Sequence, residues 1–225
     1  MSVHLLRELE RLKQGLLELW AHAQHAVQEA LWALEKRDVE TAQRRAAADD
    51  DLDRRELELR EECLKVLALY QPVATDLRFV IAVMDLARDL ERIGDLAEHI
   101  AERVLRLVQQ PPRCPAPDFH VMAAAALAML NRSLDALLSS EASAAREVIE
   151  ADDRVDTDRK RIERELVERI RQDPDCVTEA LDYLAITRHL ERIADHAVRT
   201  AEDVIYLLEG RWGRQAQPER PPQNR

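Results

Sequence analysis

Aromatic residues make up only 4% of the 225-residue chain, and there are four glycines. That poverty removes much of the turn chemistry and side-chain surface from which sheets are built. Ala, Leu, Glu and Arg dominate instead, all good helix formers, so long helices are expected. The three cysteines, Cys63, Cys114 and Cys176, are odd in number and far apart in sequence, which argues against a disulfide framework and fits a reducing compartment. The formal charge of −11 disfavours a general nucleic-acid binder, and neither a basic tail nor an aromatic stacking platform appears. No apolar run of membrane-spanning length and no signal-peptide block stand out, so a cytoplasmic protein is expected. A P-loop, a dinucleotide fingerprint, a CxxC pair, a serine-hydrolase elbow and the Glu-x-x-His pairs of ferritin-like oxidases are also missing, and an enzyme is not expected.

What the chain does have is helical periodicity. Leu5, Leu9, Leu12, Leu16, Leu19, Ala23, Ala26 and Ala30 alternate spacings of four and three, a stripe suited to bundle packing over residues 4–36. Asp38 is an N-cap signal for a second helix over 39–70. Gln71-Pro72 makes a corner, with Pro72 in the first turn of a third helix reaching about residue 110. Its apolar stripe includes Leu77, Ile81, Met84, Ile93, Leu96, Ile100, Val104 and Leu107, and Gly94 inside it permits a close approach. Residues 111–117, rich in proline, read as a stiff linker. Asp118 then caps a helix whose apolar face includes Val121, Met122, Leu127, Met129, Leu130, Leu134 and Leu138. Another helix covers 144–172, and Asp173-Pro174 starts the last, which reaches about Leu208. Trp20 and Trp32 are expected to anchor packing. The expected organisation is all-α: a first three-helix bundle (1–110), a linker (111–117), a second three-helix bundle (118–210) and a mobile tail (211–225).

The two bundles are copies. Arg88–Glu102 and Arg188–Glu202 agree at nine of fifteen positions, and each is preceded by an acidic cluster. Glu91 and Asp95 stand four apart on one helix face, as do Glu191 and Asp195. Upstream, Asp49 and Asp53, and in the second copy Asp152 and Asp156, have the same spacing. They lie well inside the expected helices, where end-capping gives little reason for them. Antiparallel packing within each half would bring each Asp-x-x-x-Asp beside the following Glu-x-x-x-Asp. Such a set of hard oxygen donors suits magnesium, manganese or iron, including a multinuclear centre. Arg88 and Arg188, three residues before Glu91 and Glu191, are placed to pair with these carboxylates, whereas Arg92 and Arg192 point elsewhere. His22 and His25 read as a polar helix margin. His99, His189 and His196 occupy no equivalent positions, so no common nitrogen ligand is expected.

The segment Gln71-Pro-Val-Ala-Thr-Asp-Leu-Arg78, followed by Arg88-Asp-Leu-Glu-Arg-Ile-Gly-Asp95 and repeated as Arg188-His-Leu-Glu-Arg-Ile-Ala-Asp-His196, resembles the PhoU family of phosphate-transport regulatory proteins. The resemblance spans about residues 3–210. It implies two PhoU-type three-helix bundles and a cytoplasmic negative regulator of phosphate uptake and phosphate-starvation signalling. The partners it implies are the phosphate-specific ABC transporter and a membrane sensor histidine kinase, and it implies a homodimer. In metal-containing members the Glu/Asp-x-x-x-Asp motifs hold iron or other cations, which maps onto Asp49, Asp53, Glu91 and Asp95, and onto Asp152, Asp156, Glu191 and Asp195. The second half departs from the family pattern after Asp173-Pro174. Two other readings stay open: a helical carboxylate protein with hydrolytic or redox activity, and a metal-free structural adaptor.

Overall fold

Leucine and alanine at alternating four- and three-residue steps turn one face of a helix into a continuous apolar strip, and burying that strip drives the assembly. In the computed structural model, residues 3–109 and 112–210 are described, the side chains at positions 49 and 50 excepted. The expected tail at 211–225 lies outside them. The elements are α1 (Val3–Lys36), α2 (Val39–Ala46), α3 (Asp49–Tyr70), α4 (Ala74–Val108), α5 (His120–Ser139), α6 (Ala142–Gln172) and α7 (Val177–Glu209), with a single 3₁₀ turn at Pro174–Cys176. No strand occurs among the described residues. The first bundle is made by α1, the α2–α3 arm and α4, and the second by α5, α6 and α7.

Leu12, Leu16, Leu19, Trp20, Ala23, Ala26 and Ala30 are all buried, as the stripe on α1 predicts. Helices α4 and α7 form the seam between bundles. They run antiparallel: Arg78 Nε donates to the Leu207 carbonyl at 3.3 Å, Asp89 meets His196, and Arg103 pairs with Asp182 at 3.0 Å. Arg78 is thus a structural tie.

The structure corrects several expectations. The helix expected over 39–70 breaks at Ala47–Ala48, because the aspartates from position 49 onward favour a helix start, where the dipole stabilises negative charge. Position 49 therefore begins a helix instead of lying inside one, whereas Asp152 and Asp156 sit inside the uninterrupted α6. Pro72 lies before the N-cap Val73 rather than in the first turn of α4. Leu77, Ile81, Val121 and Leu138, assigned to apolar core faces, are exposed at the bundle ends. Trp20 is fully buried, but Trp32 lies exposed beneath the Lys36 ammonium, 5.2 Å from the ring centre. Helix α5 is long and apolar enough to cross a membrane, contrary to the expectation from sequence. Its Met122, Ala126, Met129, Leu130 and Ala136 are buried in the second bundle, the ordinary situation of a core helix.

The linker is strapped down. The Glu179 carboxylate, buried at the start of α7, accepts from Cys114 N at 2.7 Å and from Arg113 N at 3.1 Å. Arg169 donates to the Pro115 carbonyl, and Arg161 Nη2 to the Asp118 carbonyl at 3.2 Å. Cys114 and Cys176, distant in sequence, are buried neighbours and free thiols, and burial pushes the Cys114 thiol up to about 12.

At Gly94 a side chain of α3 packs directly against the backbone of α4. A Cβ there would stand 2.2 Å from Leu52 Cδ2, well inside contact distance. The equivalent positions in the second half are Ala194 and Val155, both buried, so the larger helix residue is matched with a smaller neighbour. Gly94→Ala should displace Leu52 at an overpacking cost of about 1–3 kcal/mol, partly offset by about 1 kcal/mol of helix propensity. Thermal melts should show a loss for Gly94→Ala and recovery in Gly94→Ala/Leu52→Val. A single variant as stable as the parent would contradict this packing account.

Candidate metal centre

Helix α3 runs antiparallel to α4 after the short corner at residues 71–73, and this puts one aspartate of α3 against two acids of α4. One oxygen from each of Asp53, Glu91 and Asp95 lies within 4.8 Å of the others. Every corner of such a triangle is within about 2.8 Å of a common centre, close to the roughly 2.0–2.6 Å bonds that hard cations make to oxygen. The donor set fits magnesium, manganese, calcium or iron and lacks the thiolates that select softer ions. Glu56, one turn beyond Asp53, is close enough to perturb Glu91.

The price of convergence falls on Glu91. Its carboxyl is pushed up to about 7, chiefly by burial and then by the neighbouring Asp95 charge, with Asp53 and Glu56 adding to the effect and Arg92 opposing it. Arg92 Nη1 donates to Asp95 Oδ2 at 2.8 Å, and its Nε lies 3.4 Å from Glu91 Oε2. The expected pairing of Arg88 with Glu91 does not form. Arg88 donates to Asp85 Oδ1 at 3.3 Å, and Arg92, expected to point away, is the site's arginine. The side chain of Asp49 lies outside the described residues.

In the second half, Asp152, Asp156, Glu191 and Asp195 share a patch between α6 and α7. Asp152 is raised by burial, then by Asp195 and Asp156. Glu191 is raised by burial against the pull of Arg159, with Asp195 and Asp156 adding to the rise. Among the described residues, only the first half's acids close into a compact triangle. The dominant neighbour of the second set is Arg159, whose Nε sits 2.9 Å from Glu191 Oε1. Arg159 has no place among the residues expected from sequence, although aligning the acidic clusters sets it opposite Glu56.

Histidines contribute to neither set. His25 lies 3.5 Å from Glu29 on the outer face of α1, and His22 is exposed, as a polar margin requires. His99 and His189 stack with ring centres 5.4 Å apart. His196 Nδ1 is 2.9 Å from Asp89 Oδ1, and both groups are buried. That pair lines a seam crevice of about 410 Å³ together with Asp85, Arg88, Arg199 and Asp203.

Two related three-helix bundles, each with carboxylates converging between its second and third helical arms, define a duplicated all-α protein with interhelical acidic sites. The chain matches the PhoU domain twice, over residues 16–104 and 119–204. It is 38% identical over 206 residues to the phosphate-specific transport system accessory protein PhoU homolog of Aquifex aeolicus, covering 92% of this chain and 93% of that one. With the Pseudomonas aeruginosa homolog it shares 36% identity over 205 residues, 90% of this chain and 84% of the relative. The crystal structure of PhoU from Pseudomonas aeruginosa superposes with a TM-score of 0.84 at 35% identity, over 91% of this chain and 99% of that one. That of the phosphate transport system regulatory protein PhoU from Streptococcus pneumoniae gives 0.86 at 31% identity, over 92% and 98%. The chain belongs to the PhoU family.

Proposed function

We propose that this protein is a negative regulator of phosphate uptake and phosphate-starvation signalling that works by direct contact with the phosphate-specific ABC transporter, a sensor histidine kinase, or both. The observation that carries the reading is the doubled PhoU match, over residues 16–104 and 119–204. At the family level the role is regulation of phosphate transport, a non-catalytic one. The protein acts in the cytoplasm at the inner face of the membrane, as a homodimer. Control requires only that it bind one conformational state of its partner more tightly than another. Exposed apolar residues at matching positions of α4 and α7, Leu77 and Ile81 at one end of the seam and Val177 and Leu181 at the other, support a contact surface repeated in both halves.

The same reading gives the first acidic set a structural or regulatory cation, iron, magnesium or manganese, held by Asp53, Glu91 and Asp95. Its role is to neutralise charge that α3 and α4 otherwise bring together at a cost. Asp49 is the fourth family-motif position. Domain boundaries near 110 and 118 follow the linker.

Pull-down from membranes of phosphate-replete and phosphate-starved cells tests the partners. Capture of the transporter or kinase should be stronger from replete cells. No capture in either condition would overturn the regulatory reading. Metal analysis of Glu91→Ala/Asp95→Ala, compared with the parent, separates a cation-bearing regulator from a metal-free adaptor.

A further inference from the structure

Aligning α3 with α6 at an offset of 103, and α4 with α7 at 100, superposes Asp53 on Asp156, Glu91 on Glu191 and Asp95 on Asp195. The same register sets Glu56 against Arg159 and Arg60 against Glu163. The two halves therefore carry the same four-residue ion pair with its signs exchanged. In the first half the inward group is the acid: the Glu56 side chain is 14% exposed, while Arg60 is 54% exposed and 4.0 Å away. In the second half the inward group is the base. Arg159 is 21% exposed, with Nε 2.9 Å from Glu191 Oε1 and 3.7 Å from Asp156 Oδ1, and Nη1 2.8 Å from Glu163 Oε1. Its Nε is buried but off-line for a hydrogen bond, so the attraction to Glu191 is one of charge.

We propose that Arg159 is a built-in counter-ion that closes the second carboxylate set, so that the two halves load unequally and a divalent cation enters the first alone. This rests on the reading that the first set takes a cation. A guanidinium stays charged at every working pH. A metal ion entering beside it would meet like charge and would have to break the Arg159 pairs to reach Glu191. Arg92 offers no such obstacle in the first half. It is 55% exposed and reaches Asp95 and Glu91 from the solvent side, so it can swing away at little cost. The protein is a duplicated fold with one open site and one site already filled by its own side chain.

The full-length protein, stripped with chelator, should be titrated with Mn²⁺, counting bound ion by mass spectrometry of the desalted protein and by the loss of the free-ion paramagnetic signal. Glu91→Gln/Asp95→Asn should abolish uptake, and Glu191→Gln/Asp195→Asn should leave it unchanged. Arg159→Glu, which restores the acid found at Glu56, should raise bound Mn²⁺ about twofold. The gain should vanish when Glu191 and Asp195 are also replaced. Should Arg159→Glu not fold, Arg159→Gln removes the cation without adding an acid and should still give new uptake dependent on Glu191. The inference is overturned if Glu191→Gln/Asp195→Asn lowers uptake by the parent protein, or if folded Arg159 variants gain none. If the parent binds no Mn²⁺ while the Arg159 variants do, the first-half cation is wrong and the role of Arg159 stands.

Discussion

Replacing His196 with leucine is expected to lower the melting temperature by about 5–10 °C, the equivalent of about 2–3 kcal/mol in a chain of this size. The change roughly preserves volume but leaves Asp89, a buried carboxylate on α4, facing hydrocarbon across the seam. An unpaired buried charge is more expensive than the pair that held it, because the desolvation cost stays while the attraction goes. The adjoining crevice, with Arg88 and Arg199 in its wall, keeps the figure at the low end for such a loss. Asp89→Leu/His196→Leu should recover most of the stability, since neither polar group is then stranded. Equal losses in the single and double variants would mean the pair does not hold the seam.

Without metal, the protein should gain about 2 kcal/mol of stability when the pH is lowered from about 8 to about 6. Two carboxyls drive the effect. Asp203 is pushed up to about 7, chiefly by burial and then by Asp85, Asp89 and Glu202, against the pull of Arg88. Glu91 is likewise raised to about 7. A carboxyl whose folded pKa exceeds its unfolded one binds its proton more tightly in the native state. Stability then falls as pH rises through that window and returns as pH drops. His189 works in the opposite direction. Burial first, then His99, Arg103 and Arg192, lower its pKa to about 4, so the stability it supports above its ordinary value is lost as pH falls towards 4. Between pH 8 and pH 6 His189 therefore takes back part of the gain from the two carboxyls. Denaturant melts in chelator at several pH values check this, with Asp203→Asn and Glu91→Gln each removing about half of the slope. A flat profile between pH 6 and 8 in the parent protein would refute it.

Helix periodicity, the proline corners and the repeated Arg-x-Leu-Glu-Arg-Ile-x-Asp were enough to read the bundles and to place Asp53, Glu91 and Asp95 together. Local pattern decides these features, because an i,i+4 pair shares a face wherever the helix packs. The break at Ala47–Ala48 was harder to see: alanine favours helix, and the stop is imposed by the aspartates beginning at position 49. The ends of the apolar stripes misled for a related reason, since periodicity does not tell where a neighbouring helix finishes. Leu77 and Ile81 continue the stripe past the end of the cover. The roles of Arg88 and Arg92 were exchanged because both are three or four residues from an acid, and only the seam decides which acid each one meets. Arg159 was legible in principle, but finding it required comparing the copies for what differs between them.

Glu179, clasping two consecutive amides of the connecting segment, has a mechanical consequence. The lobes are not two beads on a string. The start of α7 is fastened to the segment that follows α4, so a load on either lobe meets a carboxylate clasp as well as the packed seam of α4 and α7.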